Sequence, residues 1–376
     1  MRLDEVRELK RSLGDGATAP TAQAADPTTG GPAPATVFFG IVPSDREDGY
    51  RLAVRLTATD EHTLAYVEAL RDRVGDDIDV RRVGEVRALA VTRTEDAAGD
   101  SGAYRASAAD PGHDGTTNPA GPPTDPADPG ESGEGGAAVA PEDLQKRLRP
   151  LIRGASVAHE KVTAGTLGAF VTLAGDDATY VLSNSHVLAD SGRGAVGDRV
   201  LQPGPYDGGG ADDVIGHLAK SVPLDPDNPN VVDCALAKLD DGIDVDLEGL
   251  DGALVGVADA AEVREEVRKI GRTTAISTGR VSAVEVDGVP IGYEIGVLTF
   301  DDQVEIEGVG DSFSAGGDSG SLIYVPSNHH GIGLLFAGSE TGGPGGNGLT
   351  YANPLTVVLE KLGATLKTAI AAPPPE

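Results

Sequence analysis

Apolar positions at the start of the chain recur at helical spacing. Leu3, Val6, Leu9 and Leu13 share one face, which predicts a helix over residues 1–14. A helix that short is marginal in water, so it either docks on a neighbour or frays. Residues 15–36 are rich in Ala, Thr, Pro and Gly and are expected to form a flexible linker. A small α+β domain is expected over residues 37–95. Strand patterns run over 37–42, 50–57 and 78–83, and 86–91 extends the sheet. Between them Leu64, Val67, Leu70 and Val74 line one face of a helix over 61–74. A unit of fewer than 60 residues is marginal on its own.

The pattern then stops. Residues 96–141 hold nine Gly, seven Pro and eight acids, with Arg105 the single basic residue and Tyr104 and Val139 the only large apolar groups. So little apolar surface cannot offset chain entropy, and a disordered acidic linker is expected. Over residues 142–366 short strand runs alternate with Gly, Asp, Asn and Pro turns. Residues 166–173 and 180–183, joined through Gly175, Asp176 and Asp177, read as a hairpin. Further strands are expected at 214–218, 234–239, 266–270, 279–286, 300–306, 321–325 and 332–337, with a closing helix at 354–362. Repeated short strands without alternating long helices predict a mainly β sandwich or barrel. Residues 367–376 form a C-terminal tail.

Composition narrows the function. Sixty acids against 30 bases give a net charge of −30, which argues against nucleic-acid binding and against docking on an anionic membrane. Only eight of the bases are Lys, which fits a chain kept soluble in high salt and fits GC-rich coding equally well. No apolar run is long enough to span a bilayer, and residues 1–14 lack the apolar core of a secretory signal, so a cytoplasmic location is expected. A single cysteine, Cys234, excludes an internal disulfide and a cysteine-based zinc site. Its place in an apolar strand predicts a buried small hydrophobe.

The sharpest local feature is Gly316-Gly317-Asp318-Ser319-Gly320-Ser321. Small residues around a serine permit a tight turn, expose its hydroxyl and let N–H groups converge, as an oxyanion hole requires. Taken alone, the motif fits a glycine-rich hairpin turn equally well. A serine nucleophile needs a base. Of His62, His113, His159, His186, His217, His329 and His330, only His186 ends a strong apolar strand, at 180–183. The base needs an orienting acid. Asp233 enters the apolar run Cys234-Ala235-Leu236-Ala237, where an acid is not a solvation residue; by itself it also fits a strand cap. The conjunction decides: the order His186, Asp233, Ser319 differs from Asp-His-Ser and from Ser-acid-His arrangements. Asp225, Asp227, Asn228 and Asp233 also cluster in the manner of a calcium loop, but the acidic background and the triad role for Asp233 argue against a metal.

On these motifs residues 165–359 resemble a chymotrypsin/trypsin-like serine peptidase of the cysteine-poor microbial type. Ser183-Asn184-Ser185-His186-Val187-Leu188 resembles the histidine motif and Val232-Asp233-Cys234-Ala235-Leu236 the aspartate motif. Gly271-Arg272-Thr273-Thr274 and Gln202-Pro203-Gly204-Pro205-Tyr206-Asp207 are similar to segments of a little-described subgroup. The resemblance implies two six-stranded antiparallel barrels with the site between them, Ser319 as nucleophile, His186 as base and Asp233 as its orienter. It implies an oxyanion hole from the N–H groups of Gly317 and Ser319, in a loop shaped by Gly316 and Asp318. The residue matching Asp318 pairs with a freshly cut N-terminus in activated zymogens; here internal hydrogen bonds are an alternative. The pocket floor falls on Phe313 with Ser314, and one wall on Gly333, Phe336 and Gly338, which implies a small or apolar residue before the cut. No cofactor is implied. The partner implied is a protein or peptide substrate, cleaved by a regulated serine endopeptidase. The alternative is a latent or inactive protease fold used as a binding scaffold. The 37–95 unit resembles the small domains that precede proteases as folding aids or inhibitors.

Overall fold

The structure, a computed structural model, describes residues 1–14, 35–44, 49–89 and 139–369. The expected linkers and C-terminal tail lie almost wholly outside these residues. Helix α1 (Leu3–Gly14) docks: Val6 and Leu13 are buried against β1 (Val37–Pro43) and β2 (Tyr50–Leu56). Helix α2 (Glu61–Val74) starts where the Asp60 carboxylate accepts the Thr63 N–H at 3.0 Å. Its buried face is Thr63, Tyr66, Val67 and Leu70. Leu64, expected on that face, is exposed, because the stripe at i, i+3, i+4 and i+7 begins one residue earlier. After α2 the chain returns as β3 (Ile78–Arg82), parallel to β2. Then comes β4 (Val86–Ala88).

A single turn, α3 (Pro141–Leu144), leads into the first barrel. Its strands are β5 (Ser156–His159), β6 (Gly165–Thr166), β7 (Ala169–Leu173), β8 (Asp176–Ser183), β9 (Arg199–Leu201), β10 (Val214–Ser221) and β11 (Ala235–Leu239). They pair in the order β7-β8-β11-β10-β9-β5, and β6, which runs on into β7, pairs back to β5. Between β8 and β9 lies the one-turn helix α4 (Ser185–Leu188).

The second barrel is built from β13 (Glu266–Gly271), β14 (Ala275–Asp287), β17 (Gln303–Gly308), β20 (Gly348–Pro354), β19 (His330–Gly342) and β18 (Leu322–Val325). Each pairs antiparallel with the next and β18 returns to β13, so the ring has no free edge. A short β12 (Gly256–Val257) adds to β19. A hairpin of β15 (Val289–Tyr293) and β16 (Gly296–Phe300) follows β14. The single strand expected over 300–306 is therefore two strands, broken at Asp301 and at Asp302, which sits at φ +59°. Helix α5 (Leu355–Leu362) buries Leu355, Val358, Leu359 and Leu362, and β21 (Ala364–Leu366) returns to β7. One apolar core, including Leu182, Cys234, Ile270, Leu334 and Leu355, joins the two barrels. The fold is mainly β, with the double barrel the resemblance implied.

The N-terminal strands are not set apart from the barrels. β1 pairs antiparallel with β14, and β4 pairs with β19 on one side and β15 on the other. Arg55 of β2 is fully buried against Glu305 of β17, with Nε–Oε2 and Nη2–Oε1 both 2.8 Å.

Candidate active site

His186 and Asp233 meet where the first barrel ends. Val187 and Leu188 are buried in that barrel's core and hold the turn that carries His186. Asp233 lies just before β11; its N–H donates to Asn353 Oδ1 of β20 at 2.9 Å, and its carbonyl accepts from Asn184 Nδ2 at 2.8 Å. The Asp233 carboxylate is fully buried. Its Oδ1 accepts the N–H groups of Ser185 (2.7 Å) and His186 (3.2 Å). Its Oδ2 lies 2.5 Å from His186 Nδ1 and accepts the Tyr293 hydroxyl at 2.8 Å. Burial opposes the charge, but the His186 ring and these hydrogen bonds outweigh it and hold Asp233 below the usual carboxylate range. With Nδ1 on the carboxylate, His186 Nε2 is turned away from it; that atom is buried with no hydrogen-bond partner among the described residues.

Sequence reasoning missed Tyr293. It comes from the β15–β16 hairpin, and its ring meets His186 edge-on at 5.8 Å and stacks on Phe300 at 6.0 Å. Burial and the neighbouring Asp233 push its hydroxyl well above the usual tyrosine value, so it stays a donor.

Ser319 is fully buried and its Oγ donates to the Phe336 carbonyl at 3.2 Å. Two glycines set its loop. Gly317 has φ +98°, and a Cβ there would lie 2.5 Å from Thr273 Oγ1; Gly320 has φ +93°, and its Cβ would lie 2.0 Å from Ser183 Oγ. Asp318 points inward. Its oxygens accept the N–H groups of Thr273 (2.9 Å), Thr274 (3.2 Å) and Ala315 (3.0 Å), and the Thr274 hydroxyl at 2.8 Å. The Lys269 ammonium, equally buried, lies 3.1 Å from its Oδ2. Burial pulls the Lys269 pKa down and Asp318 opposes that without cancelling it. Lys269 was not anticipated, because in sequence it is one polar residue within a strand.

The two further motifs converge on the same loop. Arg272 is buried, its Nε donates to Asp207 Oδ2 at 3.0 Å, its Nη2 reaches Asp207 Oδ1, and its guanidinium lies over the Tyr206 ring. Thr166 joins them: its Oγ1 accepts the Arg272 N–H at 3.1 Å and donates to the Gly317 carbonyl at 2.9 Å, and its own N–H donates to the Ser319 carbonyl at 2.7 Å. The Ser319 loop is thus braced from both barrels.

Phe313 is buried, and Ser314 Oγ lies 2.6 Å from Thr350 Oγ1. Phe336 and Gly338 lie on β19 beside the Ser319 loop, while Gly333 sits further back, paired with Pro354 in the barrel wall. The face of Phe336 and Gly338 is covered by the end of β4. Leu89 donates its N–H to the Phe336 carbonyl at 3.0 Å, and its own carbonyl accepts the Gly317 N–H at 2.7 Å. Its side chain packs in the apolar cluster of Phe313 and Leu335.

The other candidates lie elsewhere. His159 is held by Asp198 at 3.0 Å, His217 by Asp240 at 3.0 Å, His329 lies against the Tyr324 ring, and His113 is outside the described residues. Asp225 closes its own turn by accepting the N–H groups of Asp227 (2.8 Å) and Asn228 (3.1 Å). Cys234 is buried; burial and Asp233 push its thiol pKa up, so it is not a thiolate.

No protein-family model and no curated protein sequence matches the chain. Solved structures do resemble it. Thermobifida fusca protease A is 18% identical with a TM-score of 0.41, the match covering 58% of this chain and 98% of that one. Cellulomonas bogoriensis chymotrypsin is 17% identical with a TM-score of 0.40, over 58% and 98%. A protease from Nocardiopsis is 17% identical with a TM-score of 0.42, over the same shares. The structures this chain resembles are chymotrypsin/trypsin-like serine proteases.

Proposed function

We propose that the chain is a serine endopeptidase in which Ser319 attacks a peptide carbonyl, His186 takes its proton and Asp233 orients the imidazole. The observation that carries this reading is the Gly317 amide. Two residues before Ser319, it already donates to a peptide carbonyl at 2.7 Å, as an oxyanion-hole donor does. The Ser319 amide is the second expected donor. Attack requires the Ser319 hydroxyl to rotate from the Phe336 carbonyl to His186 Nε2, which is buried without a partner among the described residues. His186 then returns the proton to the leaving amine. Phe313, Gly338 and the cluster around Leu89 favour an apolar residue before the cut. Protein or peptide chains are the substrate class. The chemistry uses only this chain's hydroxyl, imidazole, carboxylate and amides.

A catalytically silent binding module is the second reading, favoured by the bond from Ser319 Oγ to a backbone carbonyl rather than to a histidine. A fluorophosphonate probe separates the two. It is applied to wild type, to Ser319→Ala, and to Leu89→Glu, which should clear the covered face, at low and multimolar salt. Labelling of a Ser319-containing form with none of Ser319→Ala is the expected result. If no folded Ser319-containing form labels, the peptidase reading fails and the binding module stands.

A further inference from the structure

Residues 86–89 lie on the site as a bound peptide would. β4 runs antiparallel to β19 in the register Val86 to Ser339, Arg87 to Gly338 and Ala88 to Ala337. The next residue, Leu89, continues it by donating its N–H to Phe336. That same Phe336 oxygen accepts the Ser319 hydroxyl, and the Leu89 carbonyl oxygen accepts the Gly317 N–H. The acyl group of Leu89, the serine hydroxyl and a hole donor therefore meet at one place. The Leu89 side chain faces Gly338, where a Cβ would lie 3.1 and 3.2 Å from its two Cδ atoms. Upstream, Glu340 N–H donates to the Glu85 carbonyl (3.2 Å) and Thr341 N–H to that of Val83 (3.1 Å). The Arg55–Glu305 pair fixes the sheet behind them. A peptide held this way is presented at high effective concentration.

We propose that the peptide bond on the carboxyl side of Leu89 is cut by the same chain, and that residues 86–89 then remain on the site as a blocking product. The proposal rests on the peptidase reading. The Ser319 Oγ bonds to the Leu89 carbonyl carbon and its proton passes to His186. The carbon–nitrogen bond to the next residue breaks, and that amine leaves with the proton from His186. Water then adds to the ester carbon, gives one proton to His186, and the ester bond breaks. Ser319 regains its proton from His186, and the new Leu89 carboxyl group releases the second water proton to solvent, leaving a C-terminal carboxylate. One carboxylate oxygen stays on the Gly317 N–H, now as a charge-assisted hydrogen bond, while the β4–β19 pairing is unchanged. By sequence the downstream piece begins Ala90-Val91-Thr92-Arg93.

The test follows the intact mass of the purified full chain over time at several protein concentrations, for wild type, Ser319→Ala and Leu89→Glu. Expected are pieces 1–89 and 90–376 from wild type, formed at a rate independent of concentration and eluting together. Ser319→Ala stays whole. Leu89→Glu, with a charge in an apolar pocket, is cut at that bond roughly a hundredfold more slowly but labels faster with the fluorophosphonate probe. Wild type that is cut elsewhere, or only in proportion to concentration, overturns the proposal. So does a Ser319-dependent label on protein that stays whole, which leaves the peptidase reading intact. No cut and no label in any folded form sinks both.

Discussion

Asp233 carries its charge without contact with water, so each donor around it has a measurable share in keeping that charge. The Tyr293 hydroxyl is the one donor that comes from a hairpin rather than from the loops on either side. A hydrogen bond to a charged acceptor contributes about 1.5–3 kcal/mol. In the site-cleared Leu89→Glu background, Tyr293→Phe should therefore lower kcat roughly tenfold to a hundredfold on a short apolar peptide, with KM little changed. A change confined to KM would show that Tyr293 shapes the pocket instead. Lys269 is the counterpart on the Ser319 loop. Where a zymogen-type site needs a new N-terminus, Asp318 here has an internal ammonium at 3.1 Å. Lys269→Met leaves that carboxylate buried and unpaired, which costs about 3–5 kcal/mol. Differential scanning calorimetry should show a drop in Tm on the order of 10 °C.

Strands decide how the N-terminal sheet is held. Arg55 of β2 and Glu305 of β17 are both fully buried, and Ser282 and Tyr351 also donate to Glu305. Burial works against the Glu305 charge, yet Arg55 and the hydrogen bonds outweigh it and leave the pKa lowered. A carboxylate depressed in the folded state stabilises the fold in full above its unfolded value, about 4.3, and that contribution is lost as pH falls through the folded value. Acid unfolding should thus be steep below about pH 4 in wild type. Glu305→Gln should be less stable at neutral pH and lose less on acidification; an identical acid limb would remove Glu305 from the account.

The same strands show what the chain reveals on inspection. β7, the end of β8 and β11 are apolar runs bounded by turn residues; His186 follows β8, Asp233 precedes β11 and Ser319 precedes β18. The β15–β16 hairpin is not legible, because Pro290, Gly292 and Gly296 interrupt its alternation, and with it Tyr293 is lost. β20, which supplies Asn353, is hidden for the same reason, starting at a glycine and ending at a proline. Residues 86–91 do read as sheet, but nothing local says which edge they join. That pairing spans about 250 residues of chain, and only the folded barrel supplies the partner.

At the scale of the whole molecule the charge of −30 acts against compactness. Raising ionic strength from about 0.1 M to about 1 M shortens the screening length from about 10 Å to about 3 Å. Like-charge repulsion across the surface should weaken accordingly, while buried pairs such as Arg55–Glu305 and Lys269–Asp318 are little affected. Thermal unfolding monitored by circular dichroism should move to higher temperature with added salt. A Tm that falls or stays flat would mean that surface ion pairs, not repulsion, set the balance.

Cys234 gives the molecule a reporter of its own. It is the single cysteine of the chain, buried in the core that joins the two barrels and next in sequence to Asp233. A thiol kept protonated and out of solvent reacts with a disulfide reagent only while that core is open. The rate of thiol modification in unmodified protein is then a clock for separation of the barrels. Comparing that clock between wild-type and Leu89→Glu protein reads whether the segment, which pairs with β19 and β15 of the second barrel, also steadies the core shared with the first.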